Sequence, residues 1–184
     1  MSRYTVYSLE TAPEDSKPVL ERLKANVGAI PNLAGMMAGS PQLIEAFVNI
    51  REIWQKTSFT PLERQVVLAT NAVTNECQYC VALHSTFALK EGLESTDLDL
   101  IRAGKSPVEP RLKALSDFSR KVMFNRGKIS EPDLEAFLTA EFTKEQALEL
   151  LVGTANSVLA NFAHHLTHAL LDDFLKPQSW SATA

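Results

Sequence analysis

Apolar residues in this 184-residue chain recur at intervals of three and four along almost its whole length, and strand-like alternation is nearly absent. That periodicity predicts an all-α fold. The segment SPQLIEAFVNIREIWQK shows it best: Ser40 is placed to cap a helix, Pro41 fits its first position, and Leu43, Phe47, Ile50 and Trp54 form the face expected to meet the core. Earlier, SKPVLERLKANVG reads as a short helix closed by Gly28. Later, TPLERQVVLATNAVT opens on Thr60, Pro61 and Glu63, the signature of a capping box. STDLDLIRAG, PRLKALSDFSRKVMFNRG and SEPDLEAFLTA each predict one more helix, and FTKEQALELLVGTANSVLANFAHHLTHALLDDFL is long enough for one or two. The chain length suits one domain over 1–184, with an irregular start at 1–14 and a loose tail at 177–184 that Trp180 could pin. FTPLERQVVLATNA also aligns without gaps on FTKEQALELLVGTA at an offset of 83, which suggests a duplicated helical unit.

Both cysteines of the chain lie in NECQYCVALHS, residues 75–85, with one of its four histidines. On a helix, Cys77 and Cys80 are i and i+3, and His84 is four beyond Cys80, so all three are expected on one face. Cα atoms three apart on a helix are roughly 5 Å from each other, inside the range of about 4.4–6.8 Å that a disulfide spans. Asn75 is read as the N-cap, with Gln78 completing a box, which puts both thiols near the positive end of the helix dipole. A thiolate is the attacking species, and His84 supplies an acid–base partner. The motif therefore predicts a dithiol redox centre.

Composition narrows the setting. Net charge is −4, with no Lys/Arg block, which argues against nucleic acid. The N-terminal stretch lacks the apolar core of a signal peptide and no run is long enough to span a bilayer, so a cytoplasmic protein with no membrane partner is expected. In that compartment a cysteine pair is more often catalytic or metal-binding than a staple. Three plainer readings compete: buried structural cysteines, a zinc site, and a thioredoxin fold. Structural zinc normally takes four ligands and no second Cys-x-x-Cys exists; a thioredoxin motif sits among strands, and none is predicted here. No metal and no cofactor is expected. In HHLTH, His164 and His168 are i and i+4, a metal-compatible spacing, although a satisfied or solvated histidine cluster is the commoner case. Tyr79 and Phe87 are expected to line an apolar pocket or an interface.

The residues CQYCVALH, preceded by TPLERQVVLATNAVTNE and followed by STFALKEGL, resemble the AhpD-like, peroxidase-related branch of the carboxymuconolactone decarboxylase family. GAIPNLAGMMAGSPQLIEAF and EPRLKALSDFSRKV look like the same branch, so the resemblance runs from about residue 28 to residue 175. It implies an AhpD-like helical bundle, a homo-oligomer (dimer, trimer or hexamer), and thiol-dependent reduction of small organic hydroperoxides. An external thiol of dihydrolipoyl or thioredoxin type would restore the dithiol. Carried over, Cys80 would be the peroxidatic thiol, Cys77 the resolving one and His84 part of the proton relay. The peroxidatic role makes Cys80 the expected more acidic and reactive thiol, whereas the helix dipole alone favours Cys77, so the two arguments diverge. The family glutamate twelve residues before the first cysteine is Gln65 here, an amide that can orient a partner but not carry a proton. A histidine just before the second cysteine is replaced by Tyr79. The rival functions are a redox-sensing or binding protein and a lactone decarboxylase; the latter needs acid–base groups rather than a dithiol.

Overall fold

The computed structural model describes residues 4–182, and among these there are helices and no strands. The helices are α1 (Lys17–Val27), α2 (Asn32–Met37), α3 (Pro41–Gln55), α4 (Pro61–Thr74), α5 (Gln78–Lys90), α6 (Ser95–Arg102), α7 (Pro110–Phe124), α8 (Glu131–Thr139) and α9 (Lys144–Thr167). A 3₁₀ turn, Glu14–Ser16, precedes α1, and another, Asp173–Gln178, follows α9.

Local chemistry sets most of the boundaries. The Thr60 side chain accepts from the Glu63 N–H while the Glu63 carboxylate receives the Thr60 N–H, and Thr143 with Gln146 builds the same box on α9. These two helices, which carry the repeated Phe-Thr motif, thus start alike, and Phe59 and Phe142 just ahead of them lie 6.0 Å apart by ring centroid. Ser40 caps α3, and Gly28 closes α1 in a left-handed conformation at φ +87° that costs a glycine little. The last long segment is one helix, ended by His168 in the left-handed region at φ +54°.

α9 is the central element, packing on α2, α3, α4, α5 and α7. One part of the core gathers Trp54, Phe59, Val66, Val67, Leu115 and Leu150 around a ring stack in which Phe137 sits 4.2 Å from Phe118 and 4.4 Å from Phe142. Burying a side chain of that size contributes about 1.5–3 kcal/mol. The other part joins α1, α2 and α3 to the start of α5 and holds both cysteines. On α3 the fully buried residues are Ile44, Val48 and Trp54, so the core face is rotated from the Leu43–Phe47–Ile50 line expected from spacing. The reason is that Phe47 fronts a cavity instead of the packed interior. α3 and α9 approach closely because Gly153 lacks a side chain: a β-carbon there would lie 2.9 Å from two ring carbons of Trp54. The C-terminal segment is held by Trp180, whose indole N–H donates to Arg102 O at 3.0 Å.

Candidate active site

Between α4 and α5 the chain reverses over Asn75 and Glu76. Asn75, expected to cap α5, instead closes α4, its N–H bonding Asn71 O at 3.0 Å, and Glu76 takes a left-handed conformation at φ +55°. The cap falls to Cys77, in extended geometry, whose sulfur accepts the Cys80 N–H at 3.3 Å. A sulfur thus does the work usually given to a serine or aspartate oxygen, and the free N–H groups of the first turn favour its charged form.

This one-position difference changes the site. Cys80 and His84 lie on α5 and line one cavity, as the helical spacing predicts, but Cys77 stands outside the helix and is not part of the cavity wall. It faces α9, where it meets His164 and His165. The two thiols are consequently unlike. Burial pushes the Cys77 thiol up, yet hydrogen bonds from Cys80 and His164, with the charge of His164, outweigh it and bring the value down to about 5. Burial and the adjacent Cys77 sulfur push Cys80 well above the ordinary thiol value, with Asn161 acting weakly the other way. The pair therefore holds one proton between two sulfurs, on Cys80.

On the cavity side, His84 Nδ1 lies 3.1 Å from Gln65 Oε1. The amide oxygen accepts, so Nδ1 carries the proton and the other ring nitrogen is left as an acceptor. Burial, followed by the positive charge of Arg51, brings the His84 value down to about 3. Its burial thus favours the neutral imidazole at physiological pH, with the unprotonated ring nitrogen able to accept a hydrogen bond. Gln65 stands beside His84, whereas Glu63 is turned away into its cap and an ion pair with Arg111 at 2.7 Å.

The cavity measures about 280 Å³. Leu33, Phe47, Leu83 and Phe87 give it an apolar wall, and Arg51, Gln65, Tyr79, Cys80 and His84 supply polar groups. Tyr79, fully buried beside Cys80, donates through its hydroxyl to Asp172 Oδ2, and burial and that carboxylate raise its ionisation well above the phenolic norm. Asp172 also accepts from the Asn32 N–H at 3.2 Å, tying the segment after α9 to the start of α2. Trp54, read from spacing as a core residue only, also reaches the cavity wall.

Of the three clustered histidines, His164 and His165 join Cys77, and His168 does not; it ends α9. Cys77, His164 and His165 offer donor atoms within 4.8 Å of one another, the group among the described residues that could hold a metal ion. Their soft and borderline donors suit zinc with one open position. Nothing in the helical spacing of α5 signals this contact, because the partners are some ninety residues apart and only the α5–α9 packing brings them together.

Residues 41–109 match the model of the carboxymuconolactone decarboxylase family. No curated protein matches the sequence. Among solved structures, the chain is similar to a peroxidase-related protein from Ralstonia eutropha JMP134 described as an alkylhydroperoxidase AhpD core, with 25% identity, a TM-score of 0.82, and 95% of this chain and 94% of that chain covered. A peroxidase-related protein from Silicibacter sp. TM1040 has the same fold at 19% identity and a TM-score of 0.74, over 93% of each chain. So does a cysteine-to-alanine variant of the debrominase Bmp8, solved with 2,3,4-tribromopyrrole, at 15% identity and a TM-score of 0.77, over 97% of this chain and 96% of that one.

Proposed function

We propose, from the match of residues 41–109 to the carboxymuconolactone decarboxylase family model and from the fold shared with an AhpD-like protein, that this chain reduces small organic hydroperoxides through a Cys77–Cys80 dithiol–disulfide cycle. The observation that carries the reading is the placement of Cys80 and His84 on one wall of a small cavity, with Cys77 directly behind as a thiolate-bearing helix cap.

The chemistry follows from the unequal sulfurs. Cys80 passes its proton to the Cys77 thiolate, and the Cys80 thiolate attacks the terminal oxygen of R–O–OH. An S–O bond forms as the O–O bond breaks, leaving Cys80 as a sulfenic acid and the peroxide as an alkoxide. The alkoxide takes a proton from solvent, giving the alcohol, and Cys77 releases its proton to solvent. Cys77, again a thiolate, then attacks the sulfenic sulfur, forming the S–S bond and expelling hydroxide, which solvent protonates to water. An external dithiol returns two electrons by exchange. His84, held by Gln65, accepts a hydrogen bond from the incoming O–H and so orients the oxygen that is attacked. A homo-oligomer belongs to the same reading: Leu148, Leu151, Phe162 and Leu166 recur at helical spacing on α9 and are 47–69% exposed.

The test is consumption of cumene hydroperoxide with dihydrolipoamide as donor. Turnover is expected in the wild type and abolished in Cys80→Ser. Cys77→Ser should stop after one equivalent, with a sulfenic acid that dimedone traps on Cys80. Equal turnover by Cys80→Ser and wild type would remove the proposal.

A further inference from the structure

Arg51 is the partly buried charged group of the cavity, and the reaction above leaves it unused. It projects from the penultimate turn of α3 onto the wall that carries Cys80 and His84. Among the described residues it makes no hydrogen bond and no ion pair. The carboxylate nearest in sequence, Glu52, is already engaged, at 3.1 Å from Arg22 Nε and 3.3 Å from Asn26 Nδ2. A partly buried guanidinium whose acting counter-charge, Glu52, is committed elsewhere and makes no hydrogen bond to it is costly to maintain, since such groups are ordinarily paired. Its field reaches the reaction centre, for it is the charge that acts on His84. Lys90 and Glu91 also border the cavity, at the C-terminal end of α5, and are exposed, so they leave the inner wall to Arg51.

We propose that this cavity recognises substrates bearing a carboxylate, which Arg51 binds while an apolar body lies against Phe47 and Phe87 and the reacting end meets Cys80. Guanidinium is the side chain whose paired N–H donors match the two oxygens of a carboxylate. The volume, about 280 Å³, lies just below the roughly 300–1,000 Å³ of ordinary ligand pockets, so the molecule is small. The apolar part of the lining, Leu33, Phe47, Leu83 and Phe87, suits a molecule with an apolar body. The inference rests on the dithiol reading only for what happens at the reacting end; recognition of the carboxylate stands without it.

The experiment uses an unreactive pair, 4-isopropylbenzoate and 4-isopropylbenzamide, which share a shape and differ in charge. Each is titrated calorimetrically into the reduced full-length protein. The acid is expected to bind at least tenfold more tightly than the amide, with that preference lost in Arg51→Gln and partly kept in Arg51→Lys, whose retained charge and unchanged thermal unfolding show an intact fold. Equal binding of acid and amide, no binding of the acid at millimolar concentration, or a preference that survives Arg51→Gln would each overturn the proposal. Repeating the titration on Cys80→Ser separates the two ideas. A preference retained there shows that carboxylate recognition does not need the thiol; a wild type that prefers the acid yet consumes no hydroperoxide removes the dithiol reading alone, and one that consumes hydroperoxide without preferring the acid removes carboxylate recognition alone.

Discussion

His84 makes stability depend on pH in a direction that can be worked out. Its value in the folded protein is about 3, against an ordinary 6.5, because burial and Arg51 disfavour the imidazolium. Between those values the unfolded chain binds a proton that the folded chain refuses, so stability must rise with pH there and fall as pH drops below about 6.5. With about 1.4 kcal/mol per unit, moving from pH 7.5 to pH 5 should cost about 2 kcal/mol through this residue alone. That figure is a ceiling, since the ring keeps some exposure toward the cavity. Other groups titrate in the same window, so the perturbation to make is His84→Asn, which keeps a polar group beside Gln65 and removes the ionisation. Urea unfolding of both proteins at pH 7.5 and pH 5 isolates the contribution as a double difference. Wild type should lose up to about 2 kcal/mol more than the variant on acidification. An equal loss in the two proteins would mean that His84 titrates normally, and the neutral acceptor role assigned to it would fall.

Three further outcomes follow from the same geometry. Gln65→Glu places a carboxylate against His84 Nδ1, restores a proton-carrying partner and should raise hydroperoxide turnover; steady-state rates that do not increase would show that the relay avoids this pair. Gly153→Ala forces a β-carbon to within 2.9 Å of the Trp54 ring, which is rigid and fully buried, so chemical denaturation should show a loss of about 1–3 kcal/mol. In the reduced protein, limited iodoacetamide at pH 6 followed by peptide mapping should mark Cys77 ahead of Cys80, since Cys77 is the ionised member with a value of about 5; the reverse order would mean that the resting thiolate sits on Cys80 instead.

Helix starts and stops were readable wherever the signal is local. The Thr60–Glu63 box and Gly28 are written in adjacent residues, and the structure has them where the spacing puts them. Helix α2 escaped notice because its start depends on Asp172, a carboxylate 140 residues away that receives the Asn32 N–H. The cysteine motif was visible as a pair, but its asymmetry was not. That asymmetry depends on Glu76 adopting a left-handed conformation, which pulls Cys77 out of the helix and turns it from the cavity toward α9. Periodicity assumes helical geometry through the motif, so it placed all three groups on one face. The Gln65–His84 contact joins neighbouring helices α4 and α5, and only the family resemblance singled out position 65. Arg51 gave no signal at all, since an arginine on an amphipathic helix usually ends in water; its lack of partners becomes visible only once α3, α5 and α9 enclose the cavity.

Mass analysis of the peptide holding residues 75–85 after one equivalent of hydroperoxide tests the dithiol cycle most directly. The account predicts loss of two hydrogen atoms as Cys77 joins Cys80, one alcohol formed per disulfide, and full reversal by dithiothreitol. Hydroperoxide left unconsumed, or consumed while both thiols stay free, would contradict it.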